Sequence, residues 1–79
     1  MKRTMKKMSP KGDETVREWD TEAVTPEQLK YITEEFTKLQ KQGFFAADIT
    51  PTEDGAKNTI IKDFDPQADI LMLPRVMGG

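Results

Sequence analysis

The stretch Val24-Thr25-Pro26-Glu27-Gln28-Leu29 constrains the architecture most, because each residue in it suits the opening of a helix. Thr25 stands at the N-cap, Pro26 at the first helical position and Gln28 three residues past the cap, a capping box in which side chain and backbone satisfy each other. Val24 and Leu29 occupy the two positions of a hydrophobic staple. Leu29, Ile32, Phe36 and Leu39 then fall on one stripe, and Gly43 follows the basic turn that ends in Lys41. The spacing predicts a helix over 26–42. A one-sided stripe must be covered by another surface, and only the flanking segments can supply it.

Those flanks read as strands. Residues 3–8 and 14–19 surround Ser9-Pro10-Lys11-Gly12-Asp13, a turn signal that predicts a β-hairpin. After the helix, 44–50 places Phe45, Ala47 and Ile49 on one parity, 51–58 reads as a loop, and 59–64 is β-branched and aromatic. Residues 69–73 form the densest apolar run and suit a central strand. Pro74 lacks a donor, so strand pairing is expected to stop there and 74–79 to leave the sheet as a flexible tail. The expected class is α+β: one domain over 1–73, with a sheet covered on one face by one helix.

Composition narrows the chemistry. In 79 residues there is neither cysteine nor histidine, which removes thiol nucleophiles, disulfides, the commonest general base and the usual zinc ligands. The expectation is a chain that is not an enzyme, with no cofactor and no metal. No apolar run approaches the roughly 18 residues of a membrane span, and no hydrophobic segment of a signal peptide follows Lys2, Arg3, Lys6 and Lys7, so no membrane is expected and the location is read as cytoplasmic. Residues 1–11 carry five basic side chains and no acid, whereas the remainder carries seven basic and fourteen acidic ones. The basic arm reads as a solvated first strand, and nucleic acid is not expected as a partner.

The chain closes on Pro74-Arg75-Val76-Met77-Gly78-Gly79. The order ββαβ(β), with an apolar strand running into Gly-Gly, resembles the β-grasp modifiers: ubiquitin, its relatives and the bacterial sulfur carriers. The resemblance implies a β-grasp-like fold and a C-terminal carboxylate on Gly79, with Gly78 as its slim neighbour, adenylated by an activating enzyme. Pro74 and the single basic residue Arg75 depart from ubiquitin's approach to its glycines. A small protein-binding inhibitor of a host enzyme, such as a phage would encode, or an assembly subunit, is the alternative. Phe64-Asp65-Pro66 followed by an apolar strand and Gly-Gly also resembles short bacterial and phage proteins, a resemblance that implies no particular function.

Arg75, Val76, Met77, Phe44 and Trp19 are the candidate partner-binding residues. Trp19 suits either the core beneath the helix or an exposed anchor. Phe44 and Phe45 must point to opposite faces of one strand, one into the core and the other under the tail or onto an interaction surface. Asp63, Asp65 and Asp69 could together hold a hard cation, though a turn is the simpler reading of 63–66. Glu34 and Glu35 lie off the helix's apolar stripe and read as a solvated face.

Overall fold

A computed structural model describes residues 1–75. The predicted hairpin forms from β1 (Lys2–Ser9) and β2 (Gly12–Asp20). Its turn is tied by the Ser9 hydroxyl, which donates to the Gly12 carbonyl at 2.8 Å and accepts the Lys11 N–H at 3.3 Å. Gly12 has φ +111°, a left-handed backbone that glycine adopts without penalty. Met5 pairs with Arg17 and Lys6 with Thr15, so Val16 is an extra residue on β2. This β-bulge explains why the second arm shows no clean alternation in sequence.

Helix α1 (Pro26–Lys41) starts as its caps dictate. The Thr25 hydroxyl accepts the Gln28 N–H at 3.1 Å, and the Gln28 amide oxygen accepts the Thr25 N–H at 3.0 Å. Gln42 caps the other end, one residue short of the expected boundary in helical terms, and Gly43 turns away with φ +101°. Ile32, Phe36 and Leu39 are buried, while Leu29, expected on the same stripe, is only half-buried at the helix entrance.

Beyond the helix come β3 (Phe44–Asp48), a two-residue hairpin of β4 (Pro51–Thr52) and β5 (Gly55–Ala56) within the predicted loop, β6 (Thr59–Ile61) and β7 (Ile70–Pro74). Five strands form one mixed sheet in the order β2-β1-β7-β3-β6. The central contact, β1 against β7, is parallel; the others are antiparallel. Thus β1 is an inner strand and not a solvated outer one. Lys2 remains exposed, whereas Arg3, Lys6 and Lys7 are half-buried.

Met5, Ala46, Ile70 and Met72 join the helix residues and Trp19 in one core. Two strand boundaries differ from expectation. The strand expected over 59–64 ends at Ile61, because Phe64 leaves the sheet and sets its ring 5.5 Å from Trp19 and 5.7 Å from Phe36. Pairing also does not stop at Pro74: Pro74 lies opposite Phe44, and the Arg75 N–H donates to the Gly43 carbonyl at 3.1 Å. Strand backbone groups alternate sides, so with Arg75 bonding toward β3 the donorless Pro74 nitrogen faces β1, and on that side pairing ends as expected, at Lys7 opposite Met72.

Candidate functional site

The helix covers the side of the sheet that carries Met5, Ala46, Ile70 and Met72. Side chains alternate, so their neighbours populate the other face. Phe45 lies opposite Leu73, and Ala47 lies opposite both Leu71 and Ile60, which places these five apolar residues together there. Ile60 is 59% exposed; Phe45, Leu71 and Leu73 are half-buried against one another, and Ala47 is enclosed between them. Lys6, in register with Leu71, borders the patch on β1, and alternation carries Arg75 to the same side at the end of β7. The face thus combines half-buried and exposed apolar residues with a basic border.

The sequence candidates fall differently. Arg75 is exposed at this face. Val76, Met77, Gly78 and Gly79 lie outside the described residues. Phe44 is on the helix side, half-buried against the core, with the Lys7 ammonium 5.8 Å from its ring centre. Its neighbour Phe45 is the ring on the open face. Trp19 belongs to the core and not to an exposed anchor: it is buried, and its indole N–H donates to the Pro66 carbonyl at 2.8 Å. Ile60, Leu71 and Leu73 were not singled out from sequence. Their signal was the parity they share with Phe45 and Ala47, visible only once strands 3, 6 and 7 are paired.

The aspartates do not converge as a cation site. Asp65 accepts the Gln67 N–H at 2.9 Å, an Asx-type turn, while Asp69 accepts from Arg3 and Thr4. No cluster of three acidic ligands occurs among the described residues. Glu34 is exposed on the helix, Glu35 half-buried. No helix among the described residues is long and apolar enough to cross a membrane.

Among the described residues one carboxylate is buried. Asp48 ends β3 beneath the β4–β5 hairpin, where its Oδ1 accepts the Thr50 hydroxyl and the Thr50 N–H, and its Oδ2 lies 3.7 Å from the Lys57 ammonium. Burial by itself would raise its pKa; the bonds from Thr50 and the charge of Lys57 outweigh that and hold it below the ordinary 3.8. A depressed folded-state pKa contributes stability above the unfolded value that is lost as pH falls through the folded one. The urea midpoint should therefore drop from pH 6 to pH 3, and Asp48→Asn should reduce the drop. Exposed Asp20, lowered by the Glu22 N–H and the Met1 amine, retains its share in the variant. Equal drops in both proteins would refute the assignment.

Comparison of the chain with family models, curated proteins and solved structures finds no match.

Proposed function

We propose that the chain is a ubiquitin-like β-grasp modifier or carrier, activated at a Gly78-Gly79 carboxylate by an adenylating enzyme. The observation that carries this reading is the place of β7. The last strand lies at the centre of the sheet, parallel to the first, with one helix across the other side. This arrangement is compatible with a β-grasp-like fold. It puts Leu71 and Leu73 in the open apolar face and Arg75, the last described residue, beside it, which supports a partner that holds the domain by that face.

In this reading a Gly79 carboxylate oxygen attacks the α-phosphorus of ATP, an acyl-adenylate forms and pyrophosphate leaves. An α-carboxylate of pKa about 3.5 is ionised for that attack at neutral pH. The domain supplies no catalytic group, cofactor or metal, and works in the cytoplasm of a bacterium or of the phage's host. Neither glycine has a Cβ, so both fit a narrow channel that Met77 would block.

Deletion of Gly78 and Gly79 should leave the melting temperature unchanged, since neither glycine has a side chain to bury. In extract of the source cell with ATP and labelled pyrophosphate, the intact chain should stimulate exchange and the truncated chain should not. Equal stimulation by both would end the carrier reading. The open apolar face also supports a second reading, a protein-binding inhibitor or assembly subunit. There, the truncated chain keeps its partner and Leu73→Asp loses it.

A further inference from the structure

A second surface lies on the other side of the molecule, where β2 meets the helix. Arg17, Glu18, Trp19 and Asp20 form one wall of a groove of about 580 Å³, and Gln28, Tyr31 and Ile32 form the other. Four consecutive strand residues point alternately to two faces, so all four can line one groove only if it runs along the backbone of the strand. Because β2 is an outer strand of the sheet, its alternate backbone groups face away from β1. Thr21 bonds back to Met1, so Glu18 and Asp20 are the outward residues of this stretch; the Asp20 carbonyl accepts the Ala23 and Val24 N–H groups, which leaves the Glu18 N–H and carbonyl and the Asp20 N–H for a partner. The helix wall is a single stripe, three and four residues apart, and Tyr31 stands 66% exposed on it. Trp19 and Ile32 give an apolar floor.

Most polar groups around the groove are committed. Glu18 pairs with Lys2 at 3.9 Å, and Asp20 with the Met1 amine at 3.1 Å and the Glu22 N–H at 3.0 Å. The Gln28 amide oxygen is spent in the capping box and the Trp19 N–H on Pro66. Arg17 forms no ion pair among the described residues. What the groove offers is therefore a short strand edge open at Glu18 and the Asp20 N–H, an apolar floor and the unpaired charge of Arg17 beside two paired carboxylates.

We propose that this groove binds a short extended peptide segment of a partner protein, paired backbone to backbone with β2, apolar at alternate positions and carrying a carboxylate that meets Arg17. Each feature of the occupant answers one of the wall: an extended main chain satisfies the edge, side chains of one parity enter between Trp19 and Tyr31, and the acid neutralises Arg17. The bulge at Val16 breaks the strand on one side of the groove. Pairing is thus confined to the four residues 17–20, a span of about 13 Å. This site is separate from the open sheet face, and does not depend on the carrier reading.

The test is a titration of the isotope-labelled chain, followed by amide resonances, with three synthetic hexapeptides. One alternates valine and threonine and ends in aspartate, one ends in lysine instead, and one has proline at its centre. The aspartate peptide should shift the amides of 17–20 and 28–32 and bind about fivefold more tightly than the lysine peptide, the size of one exposed ion pair. Arg17→Ala should abolish that preference, Tyr31→Ala should weaken both, and the proline peptide should not bind, because it cannot complete the ladder. Absence of saturable binding by the aspartate peptide, shifts confined to Phe45, Leu71 and Leu73, or an unchanged preference in Arg17→Ala would each overturn the proposal.

Discussion

Phe36→Ala should destabilise the fold by about 3–5 kcal/mol, enough to leave much of the protein unfolded at physiological temperature. The ring is only 2% exposed and lies at the centre of a small core. It is also the link by which the helix holds the 62–69 connection: Phe64 sits 5.7 Å from it at an interplanar angle of 58°, and Phe64 in turn meets Trp19. Removing Phe36 costs its own burial and leaves a void bordered by Phe64, whose connection is otherwise held by the Trp19 N–H on the Pro66 carbonyl and the Gln40 amide on the Lys62 carbonyl. A chain of this size has a total stability of about 4–12 kcal/mol, so the loss is comparable with the whole at the lower end. At about 4–8 °C per kcal/mol the melting temperature should fall by more than about 12 °C. Ile60→Ala, on the exposed edge, is the control and should stay within about 0.5 kcal/mol of the parent. A thermal scan in which the two variants melt alike would show that the helix does not anchor this core.

The legible parts of the fold were those decided within a few residues. The Thr25–Gln28 box closes over three residues and needs no tertiary partner, so the helix start could be read from sequence. The Ser9–Gly12 turn is equally local. Parts decided at long range were read less well. Phe64 continues a β-branched run, yet its position is set by rings 28 and 45 residues away in sequence. The parity of β3 was visible, but not which parity faces the helix. The two partners that let a charged Asp48 be buried, Thr50 and Lys57, lie in the following hairpin. The open face is spread over β3, β6 and β7, so no single segment announces it. The groove at β2 escaped notice for a similar reason, since Arg17 and Tyr31 are unremarkable until the strand is known to be an outer one.

Asp69→Ala should cost about 2–4 kcal/mol, a large effect for a carboxylate without a place in the apolar core. Asp69 stands just before β7 and reaches across to β1, where Oδ1 accepts the Thr4 N–H at 2.9 Å and Oδ2 meets Arg3 Nη1 at 3.0 Å. Its own N–H donates to the Thr50 hydroxyl, and its carbonyl accepts the Ile49 N–H. One residue thus aligns the parallel β1–β7 pair with the end of β3. Both charged side chains are mostly covered, 15% exposed for Arg3 and 19% for Asp69, and Arg3 Nε is buried without a hydrogen-bond partner. Alanine at 69 would strand that guanidinium among poorly solvated surroundings and orphan the Thr4 N–H, and an unpaired charge costs more than the lost attraction alone. Asp69→Asn, which keeps an acceptor for Thr4 but not the charge, should fall between the parent and alanine. Replacing Arg3 by methionine alongside Asp69→Ala should restore part of the stability, because no buried charge is then left without a counterion. Urea denaturation of the parent, the two single variants and the double variant measures this directly. If the double variant is as unstable as the sum of its parts, Arg3 and Asp69 act independently and the ion pair does not join β1 to β7.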